Sequence, residues 1–308
     1  MGPLPVGDDT AAMPIGRDRV ALLTSDALVE GYHFLAGTSP RAVGAAAASV
    51  SLSDVAAKGG RPVAFLLDLL VPPGTPESWA RSVVEGAEAQ LSGFGAHVVG
   101  GDTKPSSRTA VVGTLVGIGD PARLAPRTGA RPGDRIVTTG TVGRGGLAYL
   151  QWLRRPSSPR ARAGLLRIRP RVHEGRRLAR WAHSMIDTSD GLADSTRILA
   201  AASGVRLVIE ETRLPIDPAL RRAVGSPISR RGRAFLGGDY ELLATVDPGA
   251  VPVATAALRR LGCRLSEIGW VEAGRGAWLD SDGRRTAMPE GGWRPFDRGA
   301  RRTASRRT

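Results

Sequence analysis

Ser51-Leu52-Ser53-Asp54-Val55-Ala56-Ala57-Lys58-Gly59-Gly60 closes an apolar helix and sets a carboxylate into it. Upstream, Ser39-Pro40 starts that helix by the pairing of a cap residue with a proline in the first turn. Val43, Ala46, Ala47 and Val50 then recur at helical spacing through Lys58, and Gly59-Gly60 stops the run. Asp54 falls in the last turns, where the helix dipole disfavours an anion, so a cationic partner is expected beside it.

Working outward, the helix is flanked by strand-like runs. Val20-Ala21-Leu22-Leu23-Thr24-Ser25-Asp26 reads as a strand whose end delivers Asp26, and Val63–Val71 reads as a buried strand. A second helix is predicted from Thr75-Pro76-Glu77 to about Leu91, followed by strands at Ala96–Val99 and Thr109–Ile118. Residues 119–134, rich in Pro, Gly and Arg, read as a connection. Beyond it strands are predicted at Arg135–Thr139, Val205–Glu210, Glu241–Val246 and Ser266–Val271, and helices at Gly146–Leu153, Val172–Trp181 and Leu192–Ala202. This alternation predicts an α+β chain of two domains, 1–134 and 135–297, each a mixed sheet covered by helices. Residues 298–308 read as an Arg-rich, disordered tail.

At 308 residues each half can bury its own core. No apolar run is long enough to span a membrane, no signal peptide is visible, and Cys263 is the only cysteine. An intrachain disulfide is therefore excluded, and a cytoplasmic setting is expected. The net charge of +14 is almost wholly arginine, since Lys58 and Lys104 are the only lysines. The arginines cluster at Arg154–Arg180 and Arg294–Arg307 without interleaved aromatics, so no specific nucleic-acid partner is expected.

Six aspartate motifs carry the chemistry: Gly7-Asp8-Asp9, Thr24-Ser25-Asp26, Leu52-Ser53-Asp54, Gly100-Gly101-Asp102, Asp187-Thr188-Ser189-Asp190-Gly191 and Gly238-Asp239-Tyr240-Glu241. Most lie where an apolar run meets small residues, at element ends from which loops can aim carboxylates into a cleft. Two carboxylates about 4 Å apart repel by roughly 4 kcal/mol at an effective dielectric near 20. Converging, they must take up protons or cations. Oxygen ligands without His/Cys clustering select Mg²⁺ or Ca²⁺, and Mg²⁺ held by a few carboxylates commonly meets nucleotide phosphates. Taken singly, an aspartate at a strand end is an ordinary cap or turn residue; Asp8 is read as turn support, and His97, His173 and His183 as surface or packing residues. No Gly-x-x-x-x-Gly-Lys-[Ser/Thr] loop or protein-kinase signature is present.

The ordered set resembles the thiamine-monophosphate kinase family, a branch of the aminoimidazole-ribonucleotide-synthetase-like superfamily. The likeness runs through Gly7–Ala11, Thr24–Phe34, Ser51–Gly60, Gly100–Thr103, Arg127–Asp134, Arg169-Pro170-Arg171, Asp187–Leu192 and Asp239–Leu242. It implies that superfamily's two-domain fold, transfer of the γ-phosphoryl group of ATP to thiamine monophosphate, several Mg²⁺ ions, and a homodimer joined through N-terminal Mg-ATP domains. It implies metal-binding roles for Asp9, Ser25, Asp26, Asp54, Asp102, Asp187 and Asp190. Nucleotide contacts are implied for Gly101, Asp102, Arg127 and Ser189, and for Phe94 where a tyrosine is common. His33, the position of Gly238 and Trp293 are implied at the substrate. No residue is nominated as general base, because the acceptor is already an ionised phosphate.

Three departures accompany the likeness. Only six residues precede Gly7, fewer than the family pattern implies. Gly238 stands where the family has a glutamate associated with substrate. The segment Gly140–Leu147 is shorter than its counterpart. Alternative readings are a superfamily relative that phosphorylates or ATP-activates another small molecule, or a non-catalytic nucleotide-binding paralogue.

Overall fold

The computed structural model describes residues 3–226, 232 and 234–289. The first half builds a six-stranded sheet from β1 (Ala11–Pro14), β2 (Val20–Val29), β3 (Arg61–Val71), β4 (His97–Gly100), β5 (Thr103–Pro105) and β6 (Ala110–Gly119). Its order is β1-β2-β6-β3-β4, with β5 also beside β3. The sheet is mixed: β2, β6 and β3 pair antiparallel, and β4 and β5 run parallel to β3. Helices α1 (Pro40–Ala57) and α2 (Glu77–Ser92) belong to this half and pack on each other.

Period-two alternation orients β2. Leu22 and Leu28 enter the core, so Thr24 and Asp26 share their face, toward α1, while Ser25 and Ala27 face outward. The helix α1 is apolar on nearly every side because it is central. It touches the sheet, α2 and two elements of the second half, α5 (Val172–Leu178) and β8 (Ala182–Asp187). A helix buried on most sides turns Ser51, Ser53 and Asp54 toward other parts of the protein, while Ser49 bonds back to the Ala45 carbonyl.

The second half is a seven-stranded sheet that adds to β8 the strands β7 (Arg135–Thr139), β9 (Arg206–Glu210), β10 (Leu242–Val246), β11 (Leu265–Glu272), β12 (Gly276–Ser281) and β13 (Arg284–Ala287). The order is β13-β12-β9-β11-β7-β10-β8, antiparallel except at β12 and β9. Its helices besides α5 are α3 (Arg144–Arg154), α4 (Pro159–Leu165), α6 (Leu192–Ser203), α7 (Pro218–Ala223) and α8 (Val251–Arg259). Two helices and a hairpin absent from the sequence reading carried local signals. Ser158-Pro159 caps α4, Val251-Pro252 opens α8, and Asp282-Gly283, both at positive φ, turns the β12–β13 hairpin. The stretch between β6 and β7 is packed rather than loose, with Ala125 and Ala130 each buried in a core of the second half.

One buried ion pair ties the second half together. Arg171, at the N-cap of α5, donates from Nε to Glu241 Oε2 and from Nη2 to Glu241 Oε1, both at 2.6 Å. Thr139 Oγ1 donates to the same carboxylate at 2.7 Å. Side-chain exposures of 5% and 1% take both charges out of water, so they hold only as a pair. The Arg171→Ala substitution leaves Glu241 buried and uncompensated, and is expected to lower the unfolding free energy by about 3–5 kcal/mol in urea titrations.

Candidate active site

Carboxylates from both halves meet at the seam between the sheets. Asp9 comes from the segment before β1, Asp54 from α1 and Asp187 from the end of β8. Oxygens of these three lie within 4.8 Å of one another. Asp26 on β2 joins them: its charge raises Asp54, and a hydrogen bond links the two side chains.

Hydroxyls hold the cluster in place. Thr24 Oγ1 donates to Asp54 Oδ2 at 2.5 Å and Ser53 Oγ to Asp187 Oδ2 at 2.6 Å. Ser51 Oγ donates to Asp26 Oδ2 at 3.2 Å, and Ser189 Oγ to Asp187 Oδ1 at 2.7 Å. Two cations flank Asp9. The fully buried Lys58 Nζ lies 2.6 Å from Asp8 Oδ1 and 2.7 Å from Asp9 Oδ2, and donates to the Met185 carbonyl at 2.8 Å. Arg127 donates to Asp9 from Nε at 3.2 Å and to the Gly7 carbonyl from Nη1 at 2.6 Å. The cation expected beside Asp54 thus serves Asp8 and Asp9 instead.

The remaining carboxylates are left short of positive charge. Burial, then the charges of Asp26, Asp187 and Asp9, push Asp54 well above the usual carboxylate range. Burial and then Asp9 push Asp187 up to about 6. Burial raises Asp26, and burial with Asp194 raises Asp190, which also feels Asp9 and Asp26. Oxygen donors crowded together and deficient in cations suit a hard divalent ion.

The other nominated residues divide between this cluster and other places. Ser189 and Arg127 are in it. His33 lies close enough for Asp26 to act on it; its Nδ1 accepts the Val29 N–H at 3.0 Å and burial lowers its pKa. Asp102 stands exposed on another loop, held low by Lys104 and the Thr103 N–H, with its own N–H donated to Asp68 Oδ1 at 2.7 Å. Gly101 precedes it at φ +150°, where a Cβ would sit 2.0 Å from the Leu67 carbonyl, so glycine is required. The Ser25 side chain faces away from Asp26 and pairs with Thr114 Oγ1 at 3.0 Å. Phe94 packs on His173 at 5.4 Å between centroids, in a cleft of about 340 Å³ whose lining includes none of the six nominated aspartates. Gly238 sits at φ +94° with only Gly145 Cα near its missing Cβ, and its N–H donates to the Ser189 carbonyl at 2.7 Å. Trp293 lies outside the described residues.

Five contributors escaped the sequence reading: Thr24, Ser51, Ser53, Lys58 and Tyr240. Lys58 is one of two lysines in a chain of 41 arginines, a signal that was available. Tyr240 adopts φ +54° and packs on the core of the first half, where burial followed by the charges of Asp187, Asp26, Asp54 and Asp190 raises its phenol. Its neighbour Asp239 is structural. It accepts the Gly143 N–H at 2.6 Å and the Gly145 N–H at 2.9 Å, holding the start of α3.

This architecture defines a class before it defines a protein. Residues 7–119 match the family described as AIR synthase related protein, N-terminal domain, and residues 131–279 match the C-terminal domain of the same description. A thiamine-monophosphate kinase of Pyrococcus abyssi is 33% identical over 94% of this chain and 89% of its own. That of Escherichia coli K12 is 34% identical over 96% and 91%. The solved structure of AaThiL complexed with AMPPCP and TMP superposes with a TM-score of 0.81 at 33% identity, covering 94% of this chain and 92% of that one. The chain belongs to the thiamine-monophosphate kinase family.

Burial pushes Asp239 up to about 7, against the pull of the Gly143 and Gly145 N–H groups. With Asp187 at about 6, the folded chain holds more protons than the unfolded chain between about pH 4 and 7. Stability of the metal-free protein therefore falls as pH rises through that window. In Asp239→Asn the fall between about pH 4 and 7 is expected to shrink relative to wild type, most clearly from about pH 6 to 7 where Asp187 has already titrated, read from melting midpoints across pH.

Proposed function

We propose that this protein transfers the γ-phosphoryl group of ATP to thiamine monophosphate, releasing ADP and thiamine diphosphate. The carrying observation is the convergence of Asp9, Asp54 and Asp187 from three separate segments of a chain in this family. The complex of AaThiL with AMPPCP and TMP supports both substrates. Purified protein given ATP, Mg²⁺ and thiamine monophosphate is expected to form thiamine diphosphate; folded protein that forms none above a no-enzyme control refutes the reading.

Asp9, Asp26, Asp54, Asp187 and Asp190 would hold Mg²⁺, with Asp102 adding a carboxylate from its exposed loop. Bound Mg²⁺ supplies positive charge that lets the phosphates of two anionic substrates approach each other. The protein's own groups then position. Arg127 anchors Asp9 while keeping a delocalised cation beside the cluster, where phosphate oxygens can share it. Because Nδ1 of His33 accepts a backbone N–H, its neutral ring carries the proton on Nε2, a donor for substrate. Burial favours that neutral form. Ser189 fixes Asp187 and stands ready for the nucleotide, and the Tyr240 phenol, from the second half, feels the charges of the cluster. Phosphoryl transfer through a loose transition state requires little more than such placement.

We also infer a cytoplasmic homodimer formed through the N-terminal domain, with the chain divided at 134/135. Met13, Leu66 and Val99, exposed on the first sheet, supply apolar surface for that contact. Matches of residues 7–119 and 131–279 to separate domains support the division.

Asp54→Asn is expected to cut turnover by about a hundredfold or more while raising the melting midpoint of the metal-free protein, because it removes a like charge from the cluster. The same variant should lose most of the midpoint rise that Mg²⁺ gives the wild type. Gly238→Glu restores a carboxylate at φ +94°, so its melting midpoint falls by the cost of left-handed strain, about 1–2 kcal/mol, while KM for thiamine monophosphate drops.

A further inference from the structure

At the opposite end of β2 from Asp26 the two halves enclose a concavity of about 670 Å³. Its floor is the start of β2 and β3 and the end of β6, and its far wall is α5 and the end of α8. Val20 precedes Asp26 by six residues, so about 20 Å of strand separates this groove from the carboxylates. The lining is strongly basic: Arg19, Arg61, Arg176, Arg177, Arg180 and Arg260 all face it.

These six arginines are exposed, and among the described residues none has a carboxylate partner or a side-chain hydrogen bond. Some arginines elsewhere are held in ion pairs, Arg127 with Asp9, Arg171 with Glu241, Arg213 with Glu210 and Arg285 with Glu272; what sets the six apart is that they line one hollow. Within the groove Asp120 is engaged by Arg123 at 3.3 Å, which leaves Asp18 as the lone uncommitted carboxylate in the lining. Concentrating unpaired guanidinium groups in one hollow carries a self-repulsion that an anion relieves. Guanidinium forks fit phosphate oxygens bidentately, and several of them around one cavity fit several phosphates.

Size and lining narrow the ligand. A hollow of this volume suits a small molecule rather than a duplex. Its lining holds no Phe, Tyr or Trp on which bases could stack, which disfavours single-stranded nucleic acid. We propose that this groove is a second anion site, taking a small molecule with two or more linked phosphate groups and separate from the carboxylate cluster. Arg61 comes from the first half and Arg176, Arg177 and Arg180 from the second, so one bound polyanion clamps both. The wall is also wired to the site: α5 begins at Arg171, whose partner Glu241 follows Tyr240 directly.

Calorimetric titration of the full chain with inorganic tripolyphosphate in EDTA tests this, since without divalent metal the aspartate cluster repels the probe. Saturable one-to-one binding that weakens with added salt is expected. In Arg61→Ala/Arg180→Ala, which alters two exposed side chains, Kd should rise at least about tenfold while the ligand-free melting midpoint does not fall, since mutual repulsion is relieved. Asp54→Asn should bind tripolyphosphate as wild type does. Equal affinity in wild type and the double variant, no binding at all, or loss in Asp54→Asn would overturn the site. Tighter binding of a single-stranded oligonucleotide that displaces tripolyphosphate would overturn it in favour of a nucleic-acid surface.

Discussion

Burial of more negative than positive charge at the seam between the two sheets is the constraint on which this structure turns. Lys58 and Arg127 answer Asp8 and Asp9, but Asp26, Asp54 and Asp187 have no cationic partner, only hydroxyl donors and, for Asp187, the Ser189 N–H. At carboxylate separations of a few ångströms, each uncompensated pair costs several kcal/mol. A fold carries such a cost only where its remaining contacts over-determine the geometry. Here the central, apolar α1 does so, since a shift of that helix would disturb the first sheet, α2, α5 and β8 together.

The second half contributes to the site through backbone that is itself locked by charge. Arg171 grips Glu241 and Asp239 grips the start of α3, and between these two anchors lies Tyr240 at positive φ. Neither anchor touches the carboxylate cluster, yet they set where the phenol lies. The buried lysine works similarly from the first half, since its contact with the Met185 carbonyl registers β8 against α1. Geometry at the domain seam is thus maintained by buried ion pairs and by a carboxylate that holds backbone N–H groups.

The carboxylate cluster and the basic groove give the molecule a polarity. One end of β2 gathers carboxylates, and the other gathers arginines without partners. The excess of arginine acquires in three dimensions a local concentration, with six exposed guanidinium groups lining one groove.

Much of this was legible beforehand. Period two in Val20–Asp26 and period 3.6 in Val43–Lys58 located β2 and α1 because both elements bury apolar residues at regular spacing. The aspartates at their ends followed, and the ordered motifs identified the family. Elements with weaker apolar periodicity, α4 and the β12–β13 hairpin, went unread although Ser158-Pro159 and Asp282-Gly283 marked them. Spacing along one segment says nothing of distances between segments. Only tertiary structure could show that Asp9, Asp54 and Asp187 meet while Asp102 stands on a separate loop and Phe94 lines another cleft. Only it could show that Lys58 neutralises Asp8 and Asp9 rather than Asp54, or that Ser25 faces away where Thr24 faces in. The sequence by itself determined which chemical groups are present and which local elements carry them, because those depend on neighbours along the chain. Which groups share a cavity, and which are left short of a counter-charge, depends on contacts between residues 45 to 178 positions apart, such as Asp9 with Asp54 and with Asp187, and packing alone decides those.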